Sequence, residues 1–315
     1  MESCRETGFY ICLHVICWHV LFGGILKALP MLPIRCVVVG LMTLAIAASI
    51  HANDESLATS SRATKENAIR SIPMNALKRE AQEKVLGVIN NTSIFRRLPA
   101  SRYATDPDMH HFLIRYPEVV VGIWKVMDIS KVQAERVQDF VVQASDGMGT
   151  TSTIELLYGT KNLHVFYGKG TYQGPLFHNR LNGSCILILR SDFDETLEGV
   201  PVVTDRLDIF LRVDNIGVKI LARTLHPLVG KTADLNFLET TRFIGKVSKT
   251  AEVNGKGLNR LADQIQGLQP GVRIGFTRLI ASTNEQAVVR LQRQLRDDYR
   301  ISQKPAARSV PIRKN

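Results

Sequence analysis

Leu207-Asp208-Ile209-Phe210-Leu211-Arg212-Val213 decides how the rest of the chain reads. Leu207, Ile209, Leu211 and Val213 fall at every second position against Asp208, Phe210 and Arg212, and a period of two is that of a β-strand. This strand is read over residues 201–213. The same period recurs upstream. Residues 131–144 read as strand, with Phe140, Val142 and Ala144 alternating at the end, and residues 152–158 as another. In residues 163–172, Leu163, Val165 and Tyr167 share one face while His164 and Phe166 share the other. Residues 183–192 form a near-continuous apolar run, which suits a central strand. Ser145-Asp146-Gly147 and Gly159-Thr160-Lys161-Asn162 mark turns. Connections this short imply antiparallel pairing, since parallel strands need long crossovers.

Outside this block the apolar spacing lengthens to three and four. Tyr116-Pro117-Glu118 opens a helix with Pro at its first position and an acid in its first turn, and Val119, Val120, Ile123, Trp124 and Met127 supply its apolar side. Leu77, Ala81, Val85 and Ile89, four apart, predict a helix over residues 74–91. After the strands, Asp214 or Asn215 can cap a helix over 216–224. A longer one over 232–252 carries Phe237, Ile244, Val247 and Ala251 and is stopped by Asn254-Gly255. Residues 258–268 and 284–299 are further helical segments. The expected class is α+β: an antiparallel sheet of about five strands packed against helices segregated to one face.

The chain has 315 residues, 45% hydrophobic and 22% charged, an ordinary globular balance. The net charge of +11 sits on the flanks: residues 105–282 hold 20 basic and 19 acidic side chains, and residues 283–315 hold 8 and 3. A near-neutral centre gives no specific nucleic-acid signal. Met31-Leu32-Pro33-Ile34-Arg35 followed by the apolar run 36–48 and the small residues Ala47-Ala48-Ser49 or Ile50-His51-Ala52 has the layout of a secretory signal peptide. The expected organisation is an N-terminal extension plus signal segment at 1–52 and a flexible linker at 53–76. An α+β domain at 77–300 and a basic disordered tail at 301–315 complete it. Export to the periplasm or cell envelope follows, with start sites at Met1 or Met31; the competing reading is membrane anchoring by residues 8–50. Four of the five cysteines (Cys4, Cys12, Cys17, Cys36) fall in the leader, which leaves Cys185 as a small buried hydrophobe without a framework.

Motifs for chemistry are sparse. Gly230-Lys231-Thr232 resembles the end of a phosphate loop, but position 225, where that loop needs Gly, is Leu225. Gly168-Lys169-Gly170 and Gly255-Lys256-Gly257 read as turns. There is no HExxH, no G-x-S-x-G and no paired-cysteine site, and His110, His111, His164, His178 and His226 do not converge in sequence. No catalytic residue, metal ligand or cofactor is assigned. The least ordinary constellation is a sheet face with aromatic and polar groups: Tyr158, His164, Phe166, Tyr172, Asp208, Phe210 and Arg212, as candidate lining of an enclosed small-molecule pocket.

The order of a helix at 117–127, a run of antiparallel strands and a long helix after Val213 resembles START-like helix-grip domains over residues 110–253. That resemblance implies a sheet folded around a C-terminal helix, often enclosing an apolar ligand. The segments Phe112-Leu113-Ile114-Arg115-Tyr116-Pro117-Glu118-Val119 and Leu221-Ala222-Arg223-Thr224-Leu225-His226-Pro227-Leu228-Val229-Gly230 are also similar to uncharacterised exported bacterial proteins, which implies no activity. The leading expectation is a non-enzymatic exported protein that binds an apolar small molecule or an envelope partner. Two others stand beside it: an enzyme using His164 with Asp208 and Tyr158, and an envelope module acting through its basic tail.

Overall fold

Alternation in residues 207–213 is realised in the centre of a large antiparallel sheet. The computed structural model describes residues 57–174, 177–214 and 228–302. In chain order these form α1 (Arg62–Arg70), α2 (Arg79–Ile89), β1 (Ile94–Arg97), β2 (Ser101–Ala104), α3 (Pro107–Arg115) and α4 (Pro117–Val126). Then come β3 (Gln133–Gln138), β4 (Val141–Ser145), β5 (Thr150–Gly159), β6 (Leu163–Gly174), β7 (Phe177–Glu195), β8 (Pro201–Val213), α5 (Ala233–Gln264) and α6 (Pro270–Ser302). The eight strands run β1-β8-β7-β6-β5-β4-β3, with β2 also on β8, and every pair is antiparallel. Among the described residues β1 and β3 do not pair, so the sheet is open and not a barrel.

The class is α+β as expected, but the strand count is eight, not about five. Residues 131–144 fold into two strands, because the chain reverses at Asp139-Phe140, where Phe140 adopts a φ of +63°. A reversal on a bulky residue carries none of the usual Gly or Asn signal. β1 and β2 are four residues each and alternate too briefly to be read alone; they are defined by pairing along β8.

Both faces of the sheet are covered, which corrects the expectation of helices on one side. Cys185, Leu187 and Leu189 of β7 point into a core with Phe166, Leu207, Ile209, Leu211 and the apolar sides of α3, α4, α5 and α6. Ile186 and Ile188 point the other way, into a second core with Val165, Phe210, Phe95 and residues of α1 and α2. The unbroken apolar run in β7 exists because each of its faces meets a helical layer. Cys185 is 1% exposed in the first core, the place of a small hydrophobe.

The linker expected at 53–76 is instead structured from residue 57 onward. Ser61 caps α1 by accepting from the Thr64 amide, and Ala68 and Ile72 are buried in the second core. Two apolar anchors in a polar segment suffice once a sheet face is there to receive them. α3 also went unread, although Asp106 caps it by accepting from Met109 N at 2.8 Å and Pro107 takes its first position. At Asn254 the helix is broken as expected (φ −145°, ψ 53°), yet α5 resumes at once, because the Asn254 side chain accepts from Gly257 N at 3.0 Å and so caps the continuation. Gly255-Lys256-Gly257 is therefore helical and not a turn. The helix expected at 216–224 and nearly all of the basic tail lie outside the described residues. Among the described residues no helix is long and apolar enough to cross a membrane.

Candidate functional site

Strand alternation sends the seven expected pocket residues to opposite sides of the sheet. His164, Phe166 and Tyr172 face α3–α6. Tyr158, Asp208 and Phe210 face the α1–α2 side, and Arg212, two residues beyond Phe210, shares that side. They therefore do not line one cavity. The misreading has a simple cause: within each strand the faces were sorted correctly, but register between strands, which decides whose faces coincide, is fixed only by pairing.

Two buried polar clusters flank the sheet, and one is built on an expected pocket residue. Asp208, fully buried, accepts from Arg97 Nε at 2.7 Å and from a second Arg97 nitrogen at 3.0 Å, and it also pairs with Arg190. Arg190 donates to Ser71 Oγ at 2.8 Å and Arg97 to Asn67 at 3.2 Å, so this cluster fastens the α1 segment to the sheet. On the opposite face Asp205 accepts from Tyr103 at 2.7 Å and Ser191 at 2.6 Å, with His110 Nε2 at 3.0 Å. Burial, and then the Asp205 charge, push the Tyr103 phenol well up.

His164 is fully buried, and neither ring nitrogen has a hydrogen-bond partner among the described residues. Its ring lies 5.2 Å from that of His111. Burial, followed by the nearby His111 and Arg115, pushes its pKa down to about 3. A general base must lie within hydrogen-bond reach of the proton it takes. His164 instead sits neutral between helix and sheet, and its expected helpers Asp208 and Tyr158 are on the far face. That catalytic set is overturned.

The feature that can receive a molecule is a groove of about 820 Å³ beside α4 and the 265–268 segment. Its floor is a row of small residues in register across five strands: Ala134, Ala144, Ser152, Gly170 and Gly183. Val121, Val132, Ile265 and Leu268 add apolar wall. Lys125 of α4 stands at the rim of this face, whereas Thr151, Thr153, Lys169, Thr171, Ser184 and Arg212 alternate with the floor residues and project from the other side of the sheet, where Arg180 donates to Thr171. Of the lining acids, Glu118 is bound to Arg136 at 2.6 Å and Asp214 to Arg212 at 3.0 Å. Lys125 has no carboxylate within ion-pair distance among the described residues, and Glu135, the third acid at the groove, alternates with Ala134 and projects from the other side of the sheet.

None of the floor residues was among the expected pocket residues. Gly168-Lys169-Gly170, taken as a turn, lies in the middle of β6, where glycine marks a close approach of neighbouring backbone. A Cβ on Gly170 would stand 2.6 Å from Ser152 Cβ and 2.7 Å from the Thr151 carbonyl. Gly170→Ala is expected to cost about 1–3 kcal/mol and to lower the thermal midpoint by several degrees in calorimetry; an unchanged midpoint would show that β5 and β6 can part freely here.

No family model matches the chain, and no curated protein matches it. Among solved structures, a conserved protein from Geobacillus kaustophilus is similar at 10% identity and a TM-score of 0.34, over 48% of this chain and 93% of that one. The di-domain ARO/CYC BexL from the BE-7585A biosynthetic pathway is similar at 14% identity and a TM-score of 0.25, over 66% of this chain and 60% of that one. At these scores neither carries an argument about what this chain does.

Proposed function

We propose that the protein is an exported binding module whose ligand is a small amphiphile with an anionic end, held in the groove over the small-residue row. The observation that carries this reading is the side-chain-poor floor with one ammonium, Lys125, at its rim. Alanine, serine and glycine across five adjacent strands leave room for an apolar body, and Lys125 on α4 stands ready for its charge. The volume falls within the range of small-molecule sites. Binding, and not turnover, is the reading because the histidines with lowered pKa, His111 and His164, do not line the groove.

The test is native mass spectrometry of protein purified without detergent from its own cell, followed by titration with a medium-chain fatty acid and with a neutral alkyl glycoside. The acid is expected to bind and the glycoside to bind far more weakly. Lys125→Glu should weaken the acid about two- to fivefold, from one exposed charge contact of about 0.5–1 kcal/mol. Equal binding of both probes, or protein that is empty and binds neither, would remove this function.

A further inference from the structure

Of the five residues in the floor of the groove, only Ser152 has a side chain that can hydrogen-bond. It is the middle member of the row, two strands from Ala134 at one end and from Gly183 at the other. Strands about 4.8 Å apart place it roughly 10 Å along a floor of roughly 19 Å. Ser152 is half-buried, and its hydroxyl makes no hydrogen bond among the described residues. Its neighbours on the same face of β5 add no second contact point: Ile154 is apolar, and Thr150 is buried outside the lining. On the walls, Glu118 is bound to Arg136, and Gln266 is exposed on the 265–268 segment. Lys125 belongs to α4, the helix that packs on β3 at the start of the row.

We infer that Ser152 selects a ligand whose chain carries a hydroxyl near its middle, an inference that rests on the groove being the ligand site. With the carboxylate held at Lys125, a chain laid along the row crosses β4 and β5 on its way to β7. A plain methylene chain strips water from Ser152 and returns no partner, and a desolvated hydroxyl without a hydrogen bond is a net loss. A hydroxyl on the chain at that level restores the bond, since either oxygen can donate to the other. A hydroxyl beside the carboxylate lies instead over β3 and β4, where Ala134 and Ala144 offer it no partner. The position of the hydroxyl along the chain, and not its presence alone, is therefore what the floor reads.

Isothermal titration of the full chain with three probes is the test: dodecanoic acid, the same acid hydroxylated at the middle of its chain, and the same acid hydroxylated beside the carboxylate. The mid-chain hydroxy acid is expected to bind about three- to tenfold more tightly than the other two, the range of one net hydrogen bond. Ser152→Ala should abolish that preference by weakening the mid-chain hydroxy acid alone, because it leaves the plain acid an apolar floor. Equal binding of the three acids by the parent would overturn the role of Ser152 and leave the groove as the ligand site. A preference that survives Ser152→Ala, or one for the hydroxyl beside the carboxylate, would have the same meaning. Binding of none of the three would remove the groove as a ligand site and this inference with it.

Discussion

Asp208→Ala is expected to lower stability by about 3–5 kcal/mol, read as a fall in the urea midpoint. The carboxylate is fully buried and is the shared partner of Arg97 and Arg190. Removing one side of a buried ionic cluster leaves the opposite charge uncompensated in a medium that solvates it poorly. The loss is a large part of the roughly 5–15 kcal/mol that holds a domain folded. Because Arg97 and Arg190 also reach Asn67 and Ser71, the first effect should be local: α1 should lose protection from hydrogen exchange before the central strands do. Replacing all three charged residues by apolar ones should recover much of the loss, since a packed hydrophobic substitute avoids the desolvation cost altogether. A variant as stable as the parent would show that the cluster is open to water.

Acid is expected to destabilise the fold from about pH 6.5 downward through His164. Its folded pKa of about 3 lies below the ordinary value of 6.5. The unfolded chain therefore binds a proton that the folded chain refuses. The contribution is fully present above pH 6.5 and is lost progressively as the pH falls toward 3, at about 1.4 kcal/mol per unit. His111, also lowered by burial, adds in the same direction. Between pH 6.5 and 5 most carboxylates stay ionised, and Asp106, raised by burial, works in the opposite direction, so a loss of stability in that window is read against the histidines. His164→Leu should flatten the slope there and raise stability, because it replaces two unpartnered ring nitrogens with apolar surface. Denaturant midpoints at pH 8, 6 and 5 for both proteins decide the matter; parallel slopes would sink the assignment.

Much of the sheet was legible because a period of two survives in single strands: β5, β6 and β8 contain stretches read from alternation, and β7 the one read as a continuous apolar run. What escaped was whatever depends on a partner. β1 and β2 are too short to carry a pattern of their own. The β3–β4 reversal sits on Phe140 without a turn signal. α1 has only Ala68 to show for its burial, with Ile72 just beyond its end. The groove was hidden more thoroughly: Ala134, Ala144, Ser152, Gly170 and Gly183 lie on five strands and are ordinary one at a time. Their meaning comes from standing side by side.

The local spacing of apolar residues determined the class of fold, the antiparallel sense of the strands and the central place of β7, because backbone geometry couples period to conformation within a few residues. The tertiary structure alone decided which faces meet, that helices close both sides of the sheet, and that Asp208 and His164 never share a site. Pairing register and helix docking join residues a hundred positions apart, and no short-range periodicity encodes a contact of that length.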